Sequence, residues 1–148
     1  MRRRVSLSFA FALVALGCSD LTPAAVVGTY TLATIDGKEP PVVLAGAGGR
    51  GCVMLLVGGR LELAPATEGW SDLLLTREED CRAVDGGVTT DSLRYLGRYW
   101  LDGATLTFET ELSLEDTLRF SGPVWLGGVT LAVRDTIRGV GEHRLAFF

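Results

Sequence analysis

From Ala104 to Leu114 the chain alternates apolar and polar residues. Ala104, Leu106, Phe108, Leu112 and Leu114 fall on one parity, and Thr105, Thr107, Glu109, Glu111 and Ser113 on the other. Successive side chains of a strand point to opposite faces, so this spacing makes one dry face and one wet face. On a helix the same residues would scatter around the axis. The segment is therefore committed to a half-buried β-strand. Asp102-Gly103 just before it supplies the positive φ that a two-residue hairpin needs. The strand expected ahead of that turn, Arg94 to Leu101, carries Tyr95, Tyr99 and Trp100.

The same grammar repeats along the chain. Gly127-Gly128 is expected to join strands at Thr117–Leu126 and Val129–Ile137, where Leu118, Phe120, Val124 and Leu126 share a parity, as do Val129, Leu131, Val133 and Ile137. Gly139 and Gly141 lead into a last strand, His143 to Phe148. Earlier, Val26 to Ile35 reads as a strand ending in an Asp36-Gly37 turn, and Gly58-Gly59 is expected to turn Gly51–Val57 into Arg60–Ala64. Trp70 to Arg77 is a further strand, and Asp80 to Asp91 reads as a loop. Eight or nine strands in sequence, joined by short turns, predict an all-β, up-and-down antiparallel barrel, because closure removes exposed sheet edges. A two-sheet sandwich competes, but the C-terminal half lacks the long crossovers it would need.

The first seventeen residues follow different rules. Arg2, Arg3 and Arg4 precede an apolar run of twelve residues, Val5 to Leu16, and then Gly17-Cys18. A cationic start, a short apolar core and a small residue before a cut are the parts of an export signal; a membrane-crossing helix needs about 20 apolar residues. Ala15-Leu16-Gly17-Cys18 resembles the lipobox of bacterial lipoproteins. That resemblance implies cleavage before Cys18 and lipidation of its sulfur, against an ordinary cleaved signal with a chance cysteine. The implied organisation is a signal at 1–17, a lipidated N-terminus and linker at 18–25, and a barrel at 26–148. Ser19 after the cysteine resembles the outer-membrane-sorted case, which implies an envelope location held by lipid.

Losing three arginines with the leader leaves 11 basic residues of the original 14 against 18 acidic, so the formal charge moves from −4 to −7. That balance argues against nucleic acid, which calls for a basic face. With Cys18 acylated, Cys52 and Cys81 remain as an even pair in an oxidising compartment, expected to form a disulfide. Two free thiols, or a metal pair, are the alternatives; the scarcity of histidine opposes the metal.

Gly28-Thr29-Tyr30-Thr31-Leu32, then Ile35-Asp36-Gly37-Lys38 and Pro40, resemble the opening of bacterial lipocalin-like lipoproteins. Leu96-Gly97-Arg98-Tyr99, ahead of Asp102-Gly103-Ala104-Thr105-Leu106-Thr107-Phe108, extends the likeness over most of the mature chain. In lipocalins a Trp of the first strand packs under an Arg of the last. The resemblance implies that Tyr30 and Arg144 form that barrel-end contact, through a cation over a ring.

The candidate chemistry is sparse. Gly46-Ala47-Gly48-Gly49-Arg50-Gly51 satisfies G-x-G-x-x-G but precedes a strand-like run, where a dinucleotide site would open a helix. His143 is the single histidine, no Gly-x-Ser-x-Gly elbow exists, and at a strand start this side chain is expected to be solvated. Glu78-Glu79-Asp80 and Glu115-Asp116 are expected to face water. The reading is therefore of a non-catalytic, lipid-anchored binding module, with no cofactor and no metal. Tyr95, Tyr99, Phe108 and Phe120 are the candidate lining for a small apolar ligand. A structural or protein-interaction lipoprotein with a filled barrel is the alternative.

Overall fold

The computed structural model describes residues 21–44, 51–65, 69–113, 116–136 and 138–148. Cys18, Glu115, Ile137 and most of the glycine-rich stretch at 46–51 lie outside these. A 3₁₀ turn at Pro23–Val26 leads into β1 (Gly28–Ile35). Then follow β2 (Val42–Val43), β3 (Val53–Leu63), β4 (Trp70–Asp80), β5 (Val88–Asp102), β6 (Thr105–Glu111), β7 (Thr117–Trp125), β8 (Gly128–Asp135) and β9 (Gly141–Phe147). No α-helix occurs among the described residues.

Each strand from β3 to β9 pairs antiparallel with the next, and β1 pairs with both β9 and β3. That double pairing closes an eight-stranded barrel, with Gly28 opposite Leu63 on one side of β1 and Ile35 opposite Leu145 on the other. The short β2 lies outside the circuit, paired to Leu55 and Leu56 of β3. The up-and-down barrel read from the alternation is the fold observed. We call the end where β1 starts the upper end, and the end where it finishes the lower.

Alternation sets the wall. On β6 Leu106 and Phe108 are buried, and on β8 Val129, Leu131 and Val133. These inward residues join Tyr30, Leu32 and Ile35 of β1 and the inner residues of β3, β4, β5 and β9 in one core. Eight strands enclose a space that side chains can just fill. At the lower end, the β3–β4 register sets Val53 opposite Asp80, so Cys52 and Cys81 face each other one step further out. They form the expected disulfide, with Cα atoms 4.2 Å apart.

The turns correct the sequence reading in detail. Asp102 pairs with Thr105, so the hairpin loop is Gly103-Ala104, one residue later than expected, with φ +57° at Gly103. Trp125 pairs with Gly128, so that loop is Leu126-Gly127, one residue earlier. Asp36-Gly37 is the expected turn, and both residues have positive φ. Gly58-Gly59 is no turn: β3 runs through it, with a register shift between Leu56 and Gly58. A Cβ on Gly59 would lie 2.9 Å from the Leu74 carbonyl oxygen, so the glycine serves close packing within the strand. The loop expected at Asp80–Asp91 shrinks to 81–87, because Thr89 and Thr90 pair with Glu79 and Glu78.

Candidate functional site

The four residues expected to line a ligand space all point inward. Tyr95 and Tyr99 alternate on β5, Phe108 lies opposite Tyr99 on β6, and Phe120 lies opposite Phe108 on β7. They are buried, and three of them pack on one another. Tyr95 and Phe120 meet edge-on with ring centres 5.4 Å apart, and Phe108 and Phe120 lie 5.6 Å apart. Such pairs contribute roughly 0.5–1.5 kcal/mol beyond the area they bury. Between the tyrosines sits Gly97, where a Cβ would come within 1.9 Å of the Glu109 carbonyl oxygen and 2.6 Å of the Phe108 ring. The missing side chain brings β6 close and gives the Phe108 ring its place. The three rings of Tyr95, Phe108 and Phe120 pack together in the barrel interior.

Polar groups close the lower end. Tyr95 Oη donates to Asp135 Oδ2 at 2.7 Å, and the Arg138 amide donates to Asp135 Oδ1 at 2.9 Å. Asp135 is fully buried. The Arg138 guanidinium stands 5.0 Å from the centre of the Tyr95 ring, and its Nη1 donates to the Arg94 carbonyl oxygen. Arg77 Nη1 donates to the Arg138 carbonyl oxygen at 2.6 Å, and the same side chain pairs with Asp91. Burial, and then the bond to Asp135, raise the Tyr95 pKa, so the phenol stays a donor. Sequence reading missed this cluster. The available signal was Asp135 itself, a carboxylate on the dry parity of Val129, Leu131 and Val133.

Chain segments close the upper end. Tyr30 Oη donates to the Val26 carbonyl oxygen at 2.8 Å, and Tyr99 Oη to that of Ala64 at 3.3 Å. Val26 is fully buried and Leu21 packs against the core. Tyr30 and Arg144 do not meet. Tyr30 is inside near the upper end, whereas Arg144 is on the outer wall beside Asp36, whose amide donates to its carbonyl oxygen. Six residues of strand separate Tyr30 from Asp36, about 20 Å. A cation over a buried ring does occur in this barrel, but at the lower end, between Arg138 and Tyr95.

A broad groove lies outside. It has a volume of about 840 Å³ across β8, β9 and β1, with Thr34, Asp36, Thr130, Ala132, His143 and Arg144 among its lining. A second hollow of about 460 Å³ adjoins it over Ser121, Gly122 and Pro123 and shares Thr130, Ala132 and Arg144. His143, expected in solvent, is largely covered instead, and its Nδ1 lies 2.6 Å from Asp36 Oδ2. The Arg144 amide donates to the other oxygen, Oδ1, at 2.8 Å. Partial burial pushes the Asp36 pKa up. The Arg144 amide, the His143 side chain and the charges of both outweigh it and hold the carboxyl below its ordinary value. A carboxylate fixing Nδ1 orients an imidazole so that Nε2 can accept or give a proton. Here the pair also ties the start of β9 to the turn after β1.

The remaining candidates carry less. Cys52, Glu79 and Cys81 cluster within metal-ligand reach, but the two sulfurs are bonded to each other and offer no thiolate. Asp80 is held by the Arg82 side chain and amide, which pull its pKa down to about 2. Asp116 accepts from Ser113, and Cys18 lies outside the described residues. Compared with known protein families, with curated proteins and with solved structures, the chain matches none.

Proposed function

We propose that this chain is a lipid-anchored protein of the bacterial envelope that works through the outside of a filled barrel, as a structural or protein-interaction module. The observation that carries the reading is the ring cluster of Tyr95, Phe108 and Phe120, packed at centre distances of 5.4 and 5.6 Å and closed off by Asp135 and Arg138 below. An apolar ligand would have to displace these rings. The groove over β8, β9 and β1 supports an outward role, because small residues such as Thr34, Thr130, Ala132 and Ala146 leave room beside Arg144 and Glu142. The anchor rests on the lipobox resemblance at Cys18. Each buried methylene adds about 0.8 kcal/mol, so two acyl chains hold where one is marginal.

Three measurements test this. Intact mass of the protein from the membrane fraction should give a chain beginning at Cys18 with acyl mass attached; an unmodified, secreted form would remove the anchor. Titration with an apolar fluorescent dye and with a fatty acid should show no saturable binding. One molecule bound per chain, displaced by a Phe120→Trp substitution, would return the interior-ligand reading. A photoreactive residue at Ala132 in the groove should cross-link a partner that one at Thr89 does not.

A further inference from the structure

All three tryptophans of the chain stand at the upper end of the barrel, on its outside. Trp70 opens β4, Trp100 lies two residues before the end of β5, and Trp125 ends β7. They are 51, 41 and 39% exposed. Leu126, 76% exposed, is at the tip of the β7–β8 turn, and the exposed Phe148 ring meets Trp125 at 5.7 Å. Gly128 leaves the space that the Trp125 indole occupies, since a Cβ there would lie 2.5 Å from it. The exposed apolar residues toward the lower end, Val43, Val53, Val84 and Val88, are all valines, so the exposed rings gather at the upper rim, where such a patch marks a contact surface.

The charges are arranged in pairs along the outer wall. On the outer wall Glu62, Asp72 and Glu109 each stand in an ion pair, with Arg60, Arg94 and Arg119. Arg119 also lies 5.6 Å over the Trp100 ring. Toward the lower end stand Glu78, Glu79, Asp80, Asp85 and Glu142, of which Asp80 and Glu142 also pair with arginines, Arg82 and Arg134. Indole rings with arginines just below them suit the boundary between lipid chains and headgroups. The acidic end would be repelled by an anionic surface.

The chain enters the barrel at this same end, since the turn at Pro23–Val26 runs directly into the start of β1. Cys18 precedes Leu21 by three positions, a span of at most about 11 Å. We infer that the upper rim, through Trp100, Trp125, Leu126 and Phe148, docks on the bilayer to which Cys18 is tethered, leaving the lower end with Asp135 and the disulfide pointing away from it. This rests on the acylated Cys18 of the proposed function and adds an orientation to it.

The test uses the processed protein purified from membranes, with acyl mass on Cys18 verified, reconstituted into phosphatidylcholine–phosphatidylglycerol vesicles whose acyl chains carry bromine. Variants keeping a single tryptophan, with Phe at the other two positions, report each site. Brominated chains should lower the emission of Trp100 and Trp125 by about twofold against unbrominated vesicles, as expected for rings at the interface. Leu126→Asp, at an exposed turn, should abolish most of that quenching while circular dichroism stays unchanged. If Trp100 and Trp125 are quenched by aqueous iodide and not by bromine, the orientation fails and the anchor stands. If both are shielded from iodide and from bromine while the mass in detergent doubles, a second copy covers the rim and the orientation fails. A protein without acyl mass on Cys18 removes the anchor and the orientation together.

Discussion

Tyr95→Phe isolates one hydrogen bond in the closed lower end. The Tyr95 hydroxyl donates to Asp135 Oδ2 at 2.7 Å, and both residues are buried to within 1% of complete. Phenylalanine keeps the ring, its edge-on packing against Phe120 and the guanidinium of Arg138 above it, so packing is conserved. What is lost is a donor to a buried carboxylate that water does not reach. Hydrogen bonds to charged groups are worth about 1.5–3 kcal/mol, and an orphaned buried acceptor lies at the upper end of that range. About 2–3 kcal/mol is therefore expected. For a domain of this size that is a fall in Tm of roughly 8–12 °C at about 4 °C per kcal/mol. Urea unfolding followed by tryptophan emission measures the loss, provided the m-value is unchanged. A double-mutant cycle with Asp135→Val should show coupling of about 1 kcal/mol or more, because removing both partners spares the orphan. A Tyr95→Phe protein within about 0.5 kcal/mol of the parent, or single effects that simply add, would refute the account of the cluster.

Four other outcomes follow from the same geometry. Gly97→Ala should lower stability by more than about 3 kcal/mol or prevent folding, since backbone at 1.9 Å cannot yield as a flexible side chain would; wild-type stability in urea would refute it. Cys52→Ser with Cys81→Ser should cost about 3–4 kcal/mol for a loop of 29 residues, read as a lower urea midpoint. All three tyrosines, Tyr30, Tyr95 and Tyr99, have pKa values raised by burial above the ordinary value near 10. The folded chain then holds protons that the unfolded chain releases, so this stability is present below about pH 10 and is lost as pH rises beyond it. Phenolate absorbance should appear only with unfolding. The lowered Asp36 pKa acts in the opposite sense: its contribution is present above about pH 4 and is lost as pH falls toward the folded value. Asp36→Asn should flatten that acid limb while costing under about 1 kcal/mol at neutral pH, because the pair is partly exposed.

The inner wall was legible where alternation was strict. Leu106 and Phe108, and Val129, Leu131 and Val133, are buried as their parity required, and Tyr95, Tyr99, Phe108 and Phe120 share the interior. Turn positions were legible only to within one residue, because Gly103 and Gly127 could each serve two adjacent loop registers. Gly58-Gly59 misled for a reason specific to barrels: a strand that coils to close needs glycine within its length as well as at its ends. The residues 88–91 read as loop because Thr89, Thr90 and Asp91 carry no apolar alternation, yet pairing with β4 satisfies their backbone. Long-range polar partners were the least visible. Asp36 and His143 are 107 residues apart in sequence, and Tyr95 and Asp135 are 40 apart; only closure brings them together.

Closure through β1 also sets an order of events. The seven-residue strand Gly141–Phe147 is what joins β8 to β1, so until it pairs two sheet edges stay unzipped. Such edges recruit other chains, and pairing across so long a stretch of sequence is slow to form. A chain lacking β9 would lose more than the area of that strand: it would be left as an open, adhesive sheet, so a small deletion there does damage out of proportion to its size.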